Sequence, residues 1–295
     1  MSYMRVTERS ISTRVLNNLQ GNISRLDDIQ NRLSGGKQLS RPSDSPAGTT
    51  SALSLRSEIR TQEQYTRNTE DGLGWLGTID TALTSASSQV NRARELALRG
   101  ASTGSTDEAA RRALATEIRN IRDSLIGVAN TTYLGRPVFA GSASGTEAYA
   151  ADGTYKGQGG EVLRTIGDNT KIAVNSDGEQ VFGSGNTQLF KVLTDIADHL
   201  ENDPSALSGD LARLDTSISR MRNEVADVGA RYNRVTEMRE TADSRILSLK
   251  TQLSDIEDID LPQTITELTL QQTAYQAALA ATAKVVQPSL VDFLK

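Results

Sequence analysis

The chain has 295 residues, of which 37% are apolar, 23% charged and 4% aromatic, and its formal net charge is −5. This acidic balance argues against nucleic acid as a partner, because nucleic-acid binding needs a basic patch or stripe. The absence of cysteine excludes disulfides, thiolate catalysis and cysteine-based zinc sites. No run approaches the ~18 apolar residues of a membrane-spanning helix, and residues 1–16 lack the apolar stretch of a signal peptide. We therefore expect no membrane insertion.

Two patterns match enzyme motifs by spelling but lack the required context, and the one histidine does not form a zinc motif. His199 is followed by Leu-Glu, which is not the His-Glu-x-x-His of a zinc-binding helix. Residues 72–77 match Gly-x-Gly-x-x-Gly and residues 100–104 match Gly-x-Ser-x-Gly, but neither follows a predicted strand. We predict no catalytic residue, no metal site and no cofactor. The glycines of 72–77 predict instead a bend or break in a helix.

The N-terminal region, 1–40, carries an apolar stripe with alternating steps of three and four residues, which is typical of a coiled-coil helix. The stripe consists of Leu16, Leu19, Ile23, Leu26 and Leu33, with Gln30 at its one polar step. It ends at Ser34-Gly35-Gly36, where glycine favours a helix end. We predict that this segment is an assembly helix and that the five apolar residues mediate self-association.

Residues 41–133 are predicted to form the first long helices of a rod. Ser45 followed by Pro46 is an N-cap with proline at the first helical position. Ser105 and Glu108 have the spacing of a capping box and predict the start of a second helix. The apolar face of that helix comprises Leu114, Ile118, Ile121, Leu125 and Val128.

Residues 134–186 form a predicted β-rich outer domain, since eleven of the 23 glycines fall in the interval 135–186. Short β-type runs are separated by the turn dipeptides Asp152-Gly153 and Asp177-Gly178. The predicted strand segments are 137–139, 162–166, 171–175 and 180–182.

Residues 187–260 are predicted to be the returning helices of the rod. Fifteen positions from Leu207 to Ile256 follow strict steps of three and four, and only Arg239 among them is not apolar. A sustained 3.5-residue period predicts left-handed supercoiling against other helices. At about 1.5 Å per residue, this element would be roughly 75 Å long.

Residues 261–295 are predicted to form a C-terminal assembly helix and tail with very few charges. Its apolar positions, to which we also assign self-association, are Ile265, Leu268, Tyr275, Leu279, Val286, Leu290, Phe293 and Leu294. An apolar helix at the chain end needs a burial partner, and other copies of the chain would supply one. The alternative is that residues 262–294 dock on the chain's own helical bundle. The resulting fold class is mainly α with a small β-rich insert, an elongated helical rod with terminal coiled-coil helices.

Several of these segments resemble the bacterial flagellin superfamily. Residues 26–48 resemble its N-terminal helix end and following loop, 68–83 and 93–101 its next helix, and 268–294 its C-terminal helix and tail. Within the superfamily, Arg-Pro-Ser-Asp-Ser-Pro at 41–46 and the segment 133–141 are similar to the hook-associated protein 3 branch. The ending Ser-Leu-Val-Asp-Phe-Leu is also similar to that branch, although Val291 stands where the branch has an aromatic residue.

The resemblance implies a structural subunit at the junction between the flagellar hook and filament. Its implied partners are further copies of itself, hook-associated protein 1, flagellin, an export chaperone and the type III export apparatus. Such a protein would be secreted to the extracellular flagellum without a cleaved signal. Two alternatives remain open: a short flagellin that forms the bulk filament, and a cytoplasmic coiled-coil scaffold. An enzymatic insert is a more distant option, and 134–186 contains no histidine.

Overall fold

The computed structural model describes residues 8–102 and 107–286, and long helices dominate both stretches. The helices are α1 (Glu8–Gly35), α2 (Pro46–Ala101), α3 (Glu108–Ala129), α4 (Gly178–Phe182), α5 (Leu189–Asn202), α6 (Leu207–Glu257) and α7 (Leu261–Val286). The strands are β1 (Thr132–Tyr133), β2 (Arg136–Pro137), β3 (Leu163–Gly167) and β4 (Thr170–Ala173). The predicted class, mainly α with a small β-rich insert and helical termini, is confirmed.

The described residues divide into two compact units. The terminal unit contains the residues up to Arg60 together with those from Leu247 onward, and the central unit runs from Thr61 to Ile246. Helices α2 and α6 contribute residues to both. Among the described residues, no helix combines the length and the apolar character needed to cross a bilayer.

Helix α2 begins as the sequence predicts and then continues without the expected interruption. The amide of Gly48 donates to Ser45 Oγ at 3.1 Å, so Ser45 is the N-cap. The helix passes through residues 72–77 and runs for 56 residues without interruption, so the predicted break does not occur. At Gly74, an added Cβ would lie 2.3 Å from the Tyr133 hydroxyl oxygen. Glycine is needed there because a side chain packs directly against the helix backbone.

Helix α3 begins two residues later than a Ser105 cap would place it. Ala110 N donates to Asp107 Oδ1 at 2.7 Å, which makes Asp107 the N-cap, while Ser105 itself lies outside the described residues. The predicted apolar face is correct: Leu114, Ile118 and Leu125 are buried, and Ile121 and Val128 pack against the core from its edge. The side chain that reaches the N3 amide is that of Asp107, which the sequence analysis did not identify as a cap.

The core of the central unit lies between the long helices and the β region. Helix α6 buries Leu214, Met221, Val228 and Val235 at the predicted spacing, whereas Tyr232 of the same seam is exposed. Helix α5 packs on α3, and Arg119 of α3 pairs with Asp198 at 2.9 Å and with Glu201 at 2.8 Å. These pairs lie at the solvent edge of a contact that burial of apolar side chains stabilises.

The β region consists of two small antiparallel hairpins, β1–β2 and β3–β4. The strand predicted at 180–182 is wrong, because those residues belong to helix α4. Glu179 N donates to Asp177 Oδ1 at 3.1 Å, so Asp177-Gly178 caps a helix instead of turning a hairpin. The short helix places Phe182 among Phe139, Tyr149 and Phe190, with ring centroids 5.2, 5.7 and 5.5 Å away. Much of the chain's small aromatic content is concentrated in this cluster.

The β1–β2 turn contains a strained leucine. Leu134 has φ of +48° and Gly135 has φ of +78°, the geometry of a two-residue turn that favours Asn-Gly, and the Leu134 side chain is 80% exposed. We expect Leu134→Asn to increase the free energy of unfolding by about 1 kcal/mol, since asparagine tolerates this conformation better. Urea denaturation monitored by circular dichroism measures the change. Gly135→Ala is the matched control and should destabilise the protein; a lower stability for Leu134→Asn would contradict the argument.

His199, the single histidine, is paired at the end of helix α5. Its Nδ1 lies 2.5 Å from Oδ2 of the buried Asp210, which also binds Arg213, and this contact raises the pKa of His199 above its usual value. The protonated ring therefore stabilises the folded state below the unfolded pKa of about 6.5, and that stabilisation is lost as pH rises through the higher folded pKa.

We expect His199→Asn to reduce the dependence of stability on pH in this range. Thermal unfolding of both proteins at pH 5.5 and pH 8.5 tests this. The Tm difference between wild type and variant should favour wild type more strongly at pH 5.5. An equal difference at both pH values would show that the Asp210 contact is not coupled to folding.

Candidate self-association surface

Helices α1 and α7 pack against each other in antiparallel orientation within the terminal unit. Ile259 N donates to Gly36 O at 3.2 Å where α7 is about to begin and α1 has just ended. Further along the pair, Gln271 Nε2 lies 3.3 Å from Asn22 O and 3.4 Å from Asn22 Oδ1. The ascending numbers on one helix meet descending numbers on the other, so the two terminal helices run antiparallel.

A buried glutamate anchors the end of this pair where α1 stops and α7 starts. Glu257 is buried, and its carboxylate lies 2.8 Å from Arg56 Nη2 and 3.4 Å from Lys37 Nζ. Its backbone oxygen accepts from Gln38 N at 2.6 Å. Lys37 also lies 2.5 Å from Asp258 and holds the pKa of that carboxyl below its usual value. Two cations thus compensate the burial of one carboxylate and hold the loop after α1 on the end of α6.

The loop that follows is closed by the carboxylate of Asp44. Asp44 Oδ2 accepts from Ser40 N at 3.1 Å and from Arg41 N at 2.8 Å, and these bonds lower its pKa. The residues of the Arg-Pro-Ser-Asp-Ser-Pro segment therefore have separate structural tasks. Asp44 closes the loop, and Ser45 with Pro46 starts α2.

The predicted stripe on α1 divides into inward and outward residues. Leu19, Leu26 and Leu33 are half-buried, whereas Leu16 is 59% and Ile23 49% exposed. Among the α1 residues whose burial the structure describes, Ile29 is the buried one, and sequence reasoning missed it. The signal was present, because Leu19, Asn22, Leu26, Ile29 and Leu33 also follow steps of three and four. Because Asn22 is polar, it interrupts the apolar pattern, and the sequence analysis therefore did not identify this second stripe.

The predicted residues of α7 divide in the same way. Leu268 and Tyr275 are half-buried, while Ile265 is 51% and Leu279 43% exposed. The structure adds the 71% exposed Leu270, which the sequence analysis missed. The side chain of Val286 and the residues Leu290, Phe293 and Leu294 lie outside what the structure describes.

Helix α7 exposes large apolar side chains that an ordinary surface helix would bury. Thr264 and Gln271 are buried or half-buried, whereas Ile265, Leu270 and Leu279 are exposed. From Leu261 to Val286 the only charged residues are Glu267 and Lys284. At about 100° per residue, Ile265 and Leu279 lie on one side of the helix and Leu270 on the opposite side. Helices in water normally present charged and polar residues to solvent. These exposed side chains make α7 a candidate self-association element.

The described residues contain no cluster of histidine, aspartate and glutamate that could hold a metal ion. The residues that resembled a dinucleotide motif, 72–77, lie within helix α2. Of the nucleophile-like pattern, Gly100 and Ala101 close the same helix. In both cases a helix takes the place of the strand-turn-helix unit that the enzyme motif requires.

Comparison with known proteins gives consistent results. The model of the bacterial flagellin N-terminal helical region matches residues 6–144, and that of the C-terminal helical region matches residues 211–294. Flagellar hook-associated protein 3 of Escherichia coli is 26% identical over 277 residues, covering 85% of this chain and 87% of the relative. Flagellin of Bacillus subtilis is 25% identical over 300 residues, covering 96% of this chain and 97% of the relative.

Solved structures show the same fold. The flagellar junction protein FlgL from Legionella pneumophila superposes with a TM-score of 0.59 at 15% identity, covering 71% of this chain and 100% of that one. The two family models together span both helical arms of the chain, from residue 6 to 144 and from 211 to 294. The chain belongs to the bacterial flagellin family of flagellar structural proteins.

Proposed function

We propose that this chain is the structural subunit that joins the flagellar hook to the filament, and that it assembles through its terminal helices. The observation that carries the assembly mechanism is the exposure of three large apolar side chains, Ile265, Leu270 and Leu279, on an almost uncharged helix. Further copies of the chain, packed side by side in a tubular lattice, would bury these side chains. The energy of that contact would offset the entropy lost when the terminal segments become ordered.

The assignment to the junction rather than to the bulk filament is supported by the segments at 41–46 and 133–141. A relative named flagellar hook-associated protein 3 and a solved flagellar junction protein add to that support. A short flagellin is the second candidate, favoured by the relative from Bacillus subtilis that matches 96% of the chain. The two candidates predict different positions and copy numbers on the same organelle.

The self-association residues of the proposal are those on both terminal helices. Leu16 and Ile23 on α1, with Ile265 and Leu279 on α7, would contact neighbouring copies, because they are exposed in the single chain. Leu19, Leu26, Leu33, Leu268 and Tyr275 would support the pair from within. Val286, Leu290, Phe293 and Leu294 complete the proposed set.

The further partners in this proposal are hook-associated protein 1 on one side and flagellin on the other. An export chaperone and the type III apparatus would deliver the chain to the outside of the cell. The protein would act by assembly alone and would not be an enzyme.

Localisation on isolated flagella tests this function. A small epitope inserted beside the exposed Leu134 would be detected by immunogold electron microscopy on sheared flagella that retain their hooks. A single band where hook and filament meet is expected. Label along the whole filament would identify a flagellin, and label confined to the cytosol would indicate the scaffold alternative; either result would overturn the proposal.

A further inference from the structure

The amide pair Asn22–Gln271 occupies an unusual position in the terminal helix pair. On α1 the inward stripe is Leu19, Asn22, Leu26, Ile29 and Leu33, and on α7 it is Thr264, Leu268, Gln271, Tyr275 and Ala278. Each stripe follows steps of three and four residues, the spacing of a coiled-coil seam. Each contains one side-chain amide, and the two amides meet, with Gln271 Nε2 3.4 Å from Asn22 Oδ1.

Apolar burial alone does not explain which side of α7 faces α1. A rotation of about 60° about the helix axis would keep Leu268 and Tyr275 on the inward side, since successive residues lie about 100° apart. It would exchange Thr264 for Ile265 and bring Leu279 inward. Leucine and isoleucine gain more from burial than threonine does. The observed orientation instead buries Thr264 and keeps Ile265 and Leu279 in solvent.

The anchor at the end of the pair does not fix this orientation either. Its last backbone contact, Ile259 N to Gly36 O, precedes the first residue of α7. Gln271 lies about 15 Å along α7 from its first residue, Leu261, at 1.5 Å per residue. Along this length the Asn22–Gln271 contact is a polar interaction between inward positions, with Gln271 also 3.3 Å from Asn22 O.

We propose that the Asn22–Gln271 pair orients α7, selecting the antiparallel alignment in which Thr264 and Gln271 face α1 and Ile265 and Leu279 remain available to a second copy of the chain. A single polar residue at a seam position is known to set register and partner choice in coiled coils at a cost in stability. The pair is thus a positioning device, and this inference rests on the proposed self-association of the terminal helices.

Disulfide trapping can measure the orientation directly, because the chain has no cysteine of its own. The observed register places Ile29 opposite Thr264, and both are buried. One reporter chain carries Ile29→Cys with Thr264→Cys, which reports the inward orientation. The other carries Ile29→Cys with Ile265→Cys, which reports the rotated one. Both are oxidised as dilute full-length monomers, and the ratio of their intramolecular cross-linking rates gives the population of each orientation.

We expect the inward reporter to cross-link at least tenfold faster than the rotated one. Gln271→Ala, which removes the amide without placing a large apolar side chain on the inward stripe, should reduce this ratio at least threefold. The swap Asn22→Gln with Gln271→Asn, which keeps one amide on each helix, should restore most of it. The matched control is Gln272→Ala, which makes the same change at the neighbouring exposed position. Alanine and glutamine both favour the helix, so α7 should stay helical in both variants, and circular dichroism checks this.

A ratio that is unchanged in Gln271→Ala, or that falls equally in Gln272→Ala, would overturn the proposed orienting role. A second experiment, on incorporation into flagella, distinguishes failure of the orienting role from failure of the proposed self-association. Ile265→Ser with Leu279→Ser should leave helical content intact and lower incorporation into flagella at least tenfold. Normal incorporation of this variant would overturn the self-association proposal, whatever the cross-linking ratio shows.

Discussion

Deleting residues 262–295 is expected to abolish incorporation into the flagellum while leaving the central unit folded. The deletion removes nearly all of α7, including Ile265, Leu270 and Leu279, but no residue of the central unit. Without α7, the half-buried side of α1 also loses the helix that covers it. Helical content of the purified protein and its amount in sheared flagella measure the two effects, and we expect motility to be lost with incorporation.

The matched control for this deletion is Leu163→Ser, which removes an exposed apolar side chain from the central unit. It should leave incorporation near the wild-type level, because it does not touch the terminal helices. A truncated chain that still builds motile flagella would show that α7 is not the assembly element.

Replacing Phe182 by alanine is expected to cost about 3–5 kcal/mol of stability, the usual range for a buried phenylalanine. Phe182 is fully buried, and its ring lies edge-on to Phe139 and Tyr149 and stacked on Phe190. Alanine would leave a cavity in the aromatic cluster that joins α4 to α5. Urea denaturation followed in the near-ultraviolet circular dichroism of these rings measures the loss.

Tyr149→Phe is the control for that prediction. It keeps the ring and removes a buried hydroxyl that has no hydrogen-bond partner among the described residues. An unpaired buried polar group costs about 1–3 kcal/mol, so the variant should be at least as stable as wild type. If Tyr149→Phe were as damaging as Phe182→Ala, the stability of the cluster would not depend on ring packing.

The long helices could be predicted from the sequence because their signals are local and repeated. The seam from Leu207 to Ile256 keeps its period over many turns, and the structure buries most of its positions in the central unit. The cap at Ser45 was equally clear, since Pro46 fixes the first helical position. Such features depend on residues close together in the chain, so tertiary contacts rarely override them.

The rest depended on tertiary contacts that no local pattern contains. Val181 and Phe182 would suit a strand as well as a helix. The segment is helical because the side chain of Asp177 caps α4. The orientation of α7 could not be deduced, because the side that carries Ile265 and Leu279 is more apolar than the side that faces α1. Ile29 was missed for the related reason that Asn22 interrupts its register.

Hydrogen exchange of the terminal helices, compared between dilute monomer and isolated flagella, tests most directly whether assembly completes them. In the monomer, amides of 8–35 and 261–286 should exchange at least a hundredfold faster than those in the buried part of α6, since little apolar contact holds these helices closed. In flagella they should become as protected as α6. Equal, strong protection of all three segments in the monomer would contradict the account.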